Sequence, residues 1–361
     1  MFRRLLIAAW LLLPTRLAAQ DWLFLDGIVD GEFWATDSGS VLLTRNDGHP
    51  APFGRLQLFA GVDLRQGLQL LALGELEAGK GGQEGKTEVN YDQLVLRYTR
   101  SPALTVNVGK FATPVGSFAN RRFSPVNPLI GSPDGYPVLY PWGIQVGGAG
   151  SRFDYRVALV SLPYTHENYV PDPSAAPHLV LGAGITPSTG LRFGASFSLG
   201  PYLNRDLGSD LPPGSFWDDY SQTVGAVDAG FSRGYFEFHG EAAVQSFQVP
   251  TMSKSLTGFG SYLEFKYTFS PRFFAATRLE YNKYAYIEFE DEEWKGELLP
   301  MSNGEIGVGY RPWSHTIIKL SYRRDHWSVD AAERDEFPTG NAVAVQISQS
   351  FDLKSWFSRK Q

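Results

Sequence analysis

Asp325 and His326 adjoin, and His239 lies between Glu237 and Glu241. An Asp-His pair can move a proton, and an imidazole flanked by carboxylates can serve as a base or a metal ligand. Both groups, however, fall in stretches where polar residues recur at every second position. That is the period of a β-strand, on which adjacent residues point to opposite faces, so Asp325 and His326 cannot form a dyad with each other. His239 reads as part of a polar lining. No His-Glu-x-x-His, Gly-x-Ser-x-Gly or phosphate-loop pattern occurs, and the Gly-rich 258–263 lies in an alternating strand with no helix after it. The chain has no cysteine, which excludes disulfide and thiolate chemistry. The acidic run Glu288–Glu293 reads as a solvated outer loop, with divalent cations bridging lipopolysaccharide as the alternative. No catalytic, metal or cofactor residue is assigned.

The charges form ranks along alternating strands. Phe259, Leu263, Phe265, Tyr267 and Phe269 share one parity, and Glu264 and Lys266 share the other. The same division recurs in the strands that carry Arg55, Arg97, Arg156, Arg192, Glu241, Arg278, Glu280, Lys319 and Arg323. A soluble sandwich would turn these charges to water, whereas a membrane barrel would turn them to its lumen. The connections discriminate between the two. Tight turns such as Gln66–Gly67, Ser101–Pro102, Ser151–Arg152, Ser232–Arg233 and Ser270–Pro271 follow every second strand, and longer polar segments follow the others. Short turns at one rim and long loops at the other are the mark of an outer-membrane barrel. The expected fold is all-β: a closed transmembrane antiparallel β-barrel of sixteen strands, with short periplasmic turns and long extracellular loops. Aromatic content of 14% suits interfacial girdles, for which Tyr98, Trp142, Phe153, Phe231, Phe269, Phe273, Tyr310 and Trp313 are candidates.

The ends agree. MFRRLLIAAWLLLPTRLAAQ has a basic start, an apolar stretch and a small-residue site, so residues 1–19 are expected to be a signal peptide. Its removal takes away three basic residues and moves the formal charge from -6 to about -9, unsuited to nucleic acid. No apolar run long enough for a membrane helix follows. The barrel is expected over 20–353, and 354–361 as a short periplasmic tail. The expected place is the outer membrane of a Gram-negative-type bacterium, among lipid and lipopolysaccharide, after delivery to the barrel assembly machinery.

One segment stands apart. TVNVGKFATPVGSFANRRFSPVNP starts as a strand at Thr105 and becomes a long Pro- and Gly-punctuated loop. Val108, Gly109, Lys110, Phe111, Pro114, Val115 and Gly116 resemble the V-G-(Q/K)-F-x-x-P-(F/V)-G element of the phosphate-selective porin O/P family. That resemblance implies a sixteen-stranded, trimeric diffusion channel with no cofactor. The phosphate specificity does not follow, because the inward-facing list mixes acids and bases. Strand parity points Lys110 at lipid unless a bulge intervenes.

The expected function is a porin, a passive channel for small hydrophilic solutes or ions, including anions. A barrel enzyme or a surface adhesin is the alternative. Residues 114–141 are expected to fold into the lumen as its constriction, with Arg121 and Arg122 at the edge. Glu75, Glu77 and Glu237 would face them across the pore and set up a transverse field. In the competing arrangement the loop lies over the mouth and its arginines hold lipopolysaccharide phosphates.

Overall fold

The computed structural model describes residues 22–37, 50–79, 87–134, 140–161, 177–203, 211–290, 293–328 and 339–352. The expected signal peptide and tail lie outside them. The strands are β1 (Leu23–Thr36), β2 (Ala51–Arg65), β3 (Leu68–Gly79), β4 (Glu88–Ser101), β5 (Leu104–Lys110), β6 (Trp142–Ala149), β7 (Phe153–Val160) and β8 (His178–Ser188). They continue as β9 (Leu191–Pro201), β10 (Ser221–Arg233), β11 (Phe236–Phe247), β12 (Leu256–Ser270), β13 (Phe273–Glu290), β14 (Glu293–Trp313), β15 (Thr316–Trp327) and β16 (Gly340–Asp352).

Each strand pairs antiparallel with its neighbours in sequence, and β1 closes on β16 from Asp26↔Asp352 to Thr36↔Ala342. Closure leaves no unpaired sheet edge, the condition for backbone amides to cross hydrocarbon. Pleat alternation then sorts the side chains. On β12, Leu263 is 47% exposed and Glu264 1%; on β15, Leu320 is 48% exposed and Lys319 1%. The outside is apolar and the charges point inward, as expected for a barrel solvated by lipid. Tyr98, Phe153, Phe231, Phe269, Phe273, Tyr310 and Trp313 are exposed at the short-turn rim, while Trp142 is half-buried at the opposite end of β6.

Two places break the simple alternation, and both bear on the interior. At Gly109 the backbone takes φ 130°, and a Cβ there would stand 2.1 Å from the Leu94 carbonyl oxygen, so only glycine fits. The reversal turns Lys110 into the barrel, where Nζ donates to the Tyr91 carbonyl at 3.1 Å. On β4 the register against β3 slips at Leu73/Gly74, and Asp92 is the residue left over. That bulge turns inward a carboxylate that alternation would have sent to lipid.

The connection between β13 and β14 also differs from the sequence expectation. In place of a long loop after residue 285, ladder pairing runs out to Glu290↔Glu293 as a hairpin. Within it Glu288 stands opposite Lys295. Ile287, Phe289 and Trp294 pack with Tyr202, Phe247, Val249 and Leu256 from the neighbouring connections. This apolar support extends the strands beyond the length that spanning a membrane needs.

Candidate functional site

After β5 the chain leaves the wall and enters the barrel. Phe111 and Val115 pack on inward-facing Val95, Ala158, Val160, Val180 and Val224. Pro114 brings no N–H to a ladder, and Gly116 at φ 66° bends the chain so that its amide donates to Ser196 Oγ at 3.1 Å. From there to Asp134 the loop is fastened to the walls by hydrogen bonds and ion pairs.

On the β11 side, the Ser117 amide and hydroxyl both donate to Glu241 Oε1, at 2.9 and 2.6 Å, and Tyr262 donates to the same oxygen at 2.9 Å. Across the lumen, the Ser124 hydroxyl donates to Asp30 Oδ1 on β1 at 2.6 Å and lies 2.8 Å from Ser348 Oγ on β16. Between these, Lys319 Nζ donates to the carbonyls of Asn127 and Leu129 at 2.7 and 3.1 Å. Glu305 Oε1 accepts from the amides of Ile130 and Gly131, both at 3.2 Å. Further along, the Asp134 amide donates to Glu280 at 2.8 Å, and its carboxylate takes Arg323 and Asn303. The hub is Arg278, fully buried. It donates to Glu264 Oε2 at 2.6 Å, to the Gly131 carbonyl at 2.7 Å and to Asn127 Oδ1 at 2.9 Å.

The charges singled out in the sequence are therefore mostly cross-linked. Arg121 pairs with Glu264, and Arg122 with Asp92, with Glu75 at 3.8 Å. The Arg122 guanidinium lies between the rings of Phe123 and Tyr140, at 4.8 and 4.9 Å. Burial raises the Tyr140 phenol well above its usual range, so it stays neutral there. Burial opposes the Arg122 cation, but the carboxylates of Asp92 and Glu75 hold its pKa above the ordinary value. Of the three acids expected opposite this pair, Glu75 stands near Arg122. Glu77 instead accepts from Arg55 Nε at 2.8 Å, and Glu237 from Lys266 at 2.6 Å. Arg55 Nη1 is 3.9 Å from Asp30 and from Glu32. Glu280, Lys319 and Arg323 are buried under the loop, where they bed it rather than line open water.

Among the described residues, two spaces border the loop. On the short-turn side, between β5 and β11, lies a cavity of about 710 Å³ lined by Asn107, Gln145, Arg156, Arg192 and His239, with Ser117 and Arg121 of the loop. Arg192 bonds Asp154 at 2.9 Å and Asp228 at 2.5 Å. Arg156 forms no ion pair among the described residues, and its Nε has no partner. It lies along the wall beside Gly182 on β8, where a Cβ would stand 3.1 Å from the Pro114 carbonyl oxygen and 3.4 Å from Arg156 Nε. Arg97 has an amide partner, Asn107 Oδ1 at 3.0 Å. The second space, about 280 Å³, lies on the long-loop side between β1, β2, β3 and the loop. Asp325 is buried against Arg323 at 2.7 Å, and exposed His326 bonds Thr339 at 3.0 Å, so the two diverge.

Asp92, Asn127, Asp134, Ser117, Ser124 and Asp30 were missed as contacts. For Asp92 a signal was present: an acid on a lipid-facing parity implies a bulge. The others sit at loop positions or answer residues more than ninety positions away, as Ser124 does Asp30.

No protein-family model matches the sequence, and no curated protein is detectably similar to it. Solved structures do match. OmpF of Salmonella typhi, in complex with daunomycin, aligns with TM-score 0.63 at 12% identity over 91% of this chain and 97% of its own. An anion-selective porin from Comamonas acidovorans aligns with TM-score 0.61 at 12% identity, over 91% and 99%. OprB of Pseudomonas putida aligns with TM-score 0.60 at 12% identity, over 91% and 94%. At such identity the likeness is one of fold: this chain has the closed barrel architecture of outer-membrane porins.

Proposed function

We propose that the chain is an outer-membrane diffusion channel for small hydrophilic solutes, with residues 114–141 as its constriction. The observation that carries this is the loop's position. It is tied to inward-facing residues on β1, β3, β4, β9 and β11 through β16, so any solute passing the barrel must pass beside it. The exposed apolar belt supports residence in a bilayer, with lipid and lipopolysaccharide around it. A homotrimer comes with the resemblance to the phosphate-selective porin O/P family. The phosphate specificity is not carried over, since Arg55, Arg192, Arg278 and Arg323, unlike Arg97 and Arg156, have carboxylate partners.

Those two give the channel a bias. Arg156 faces the larger cavity without a salt bridge of its own, beside the Arg192–Asp154–Asp228 group, and low-dielectric walls strengthen the field of such a charge. Anions are favoured there over cations of the same size. In planar bilayers under a salt gradient, wild type is expected to show a reversal potential on the anion side, and Arg156→Glu to move it toward cations. The shift should shrink at 1 M salt, where the Debye length falls to about 3 Å. An unchanged reversal potential in Arg156→Glu would remove Arg156 from the solute path.

A further inference from the structure

Six of the seven short turns carry an arginine, and none carries an acid. Arg65, Arg100, Arg152, Arg233, Arg272 and Arg311 take one turn each, the β8–β9 turn being the exception. The stretches 64–69, 99–104, 149–153, 186–191, 231–236, 268–273 and 310–316 are free of Asp and Glu. The opposite rim is acidic where it is described, with Asp218, Asp219, Glu288 and Glu293. Arg65, Arg100, Arg152, Arg233 and Arg272 are exposed, and none has an ion pair or side-chain hydrogen bond among the described residues. Diffusion through the lumen gives no role to charges placed this way.

We infer that Arg100, Arg152, Arg233 and Arg272 form a ring that docks net-anionic phospholipid headgroups in the leaflet on the short-turn side. Placement is the first support. Each of the four stands within two residues of a lipid-facing ring: Arg100 by Tyr98, Arg152 by Phe153, Arg233 by Phe231 and Arg272 by Phe273. Such aromatic rings sit at the headgroup level, so these guanidinium groups lie at the depth of lipid phosphate. The other two arginines differ. Arg65 adjoins no ring, and the Arg311 guanidinium lies over inward-facing Phe274, 4.8 Å from its centroid.

Chemistry is the second. An unpaired guanidinium offers a planar fork of donors that matches two phosphate oxygens, and no acid in these turns competes for it. Arginine stems also lie along apolar surface while the charged head stays at the polar level. Distribution is the third. The four turns join β4 to β5, β6 to β7, β10 to β11 and β12 to β13, so the charges are spread around the circumference. A protein partner would meet one sector of such a ring, whereas lipid surrounds a barrel on every side. With the described acids at the other rim, the recognition is confined to one leaflet.

The inference needs the barrel to sit in a bilayer and holds whether or not it conducts. The folded full chain is reconstituted in phosphatidylcholine vesicles with a trace of spin-labelled phosphatidylglycerol or spin-labelled phosphatidylcholine. The fraction of label held at the protein surface is read by electron paramagnetic resonance. Wild type is expected to hold phosphatidylglycerol about fivefold better per site, the worth of one cationic contact at an anionic surface, and less so at 1 M salt. Arg100→Gln, Arg152→Gln, Arg233→Gln and Arg272→Gln together, in a chain checked as a folded barrel, should bring the ratio near one. Arg65→Gln with Arg311→Gln should leave it in place. Equal retention of the two lipids by wild type, or a preference that survives the four substitutions, would overturn the ring. So would a preference lost in the Arg65 and Arg311 pair alone. If the four substitutions shift the reversal potential while wild type holds both lipids equally, the arginines guide solute ions and the lipid reading falls.

Discussion

Arg278→Ala is expected to loosen the loop from the wall and to destabilise the folded barrel by about 3–5 kcal/mol, the usual cost of leaving a buried charge without its partner. Arg278 is fully buried and stands between Glu264 and Glu305 while holding Asn127 and Gly131 of the loop. Its removal leaves Glu305 with loop amides and Glu264 with Arg121 alone. Urea unfolding of the protein in detergent reads the stability, and single-channel current reads the loop, which should pass more current when undocked. Arg278→Met combined with Glu264→Gln removes that pair but leaves Arg121 without its carboxylate, so it should recover only part of the stability, and the loop still loses its two contacts to the guanidinium. If Arg278→Ala were as stable as wild type with the same conductance, the docking network would not be what holds the loop.

The second large effect lies on the other face. Leu320→Arg is expected to cost about 2–4 kcal/mol if its site is near the bilayer midplane, because a guanidinium there has no water and no partner. Leu320 is exposed on the apolar side of β15, with Val345 and Val308 as cross-strand neighbours on the same face. Lys319, one residue earlier, is buried and cationic by nature, yet it belongs there because two loop carbonyls receive it. The contrast tests the facing directly. Refolding into lipid vesicles should show the loss for Leu320→Arg, and substitution at exposed Arg324 should show almost none.

The strands were legible because their signal is local. Phe265, Phe269 and Leu263 against Glu264 and Lys266 state a period of two, and short turns such as Ser270–Pro271 alternating with long loops state the facing. The conditional reading of Lys110 asked for a bulge; the ladder instead runs unbroken through Gly109, and its positive φ accompanies the inward turn of Lys110. The β13–β14 hairpin was hidden because its pairing is stabilised from outside: Ile287 and Trp294 need Tyr202, Val249 and Leu256, which no window of sequence brings together. The interior was least legible. Arg121 and Arg122 announced charge, but their partners Glu264 and Asp92 lie 143 and 30 residues away. Parity told which residues face inward; it did not tell which of them would be neutralised by a loop crossing the lumen. Arg156 emerges as distinct only when the pairing of the other arginines is seen.

The proposed path takes solutes across the barrel past the loop. The most direct measurement compares the single-channel conductance of wild type with that of a variant in which residues 118–132 are replaced by a short Gly-Ser link, both checked as folded barrels. Wild type is expected to conduct in steps, and the variant to show a clearly larger step. A folded wild type that never conducts, or a variant with the same conductance as wild type, would contradict it.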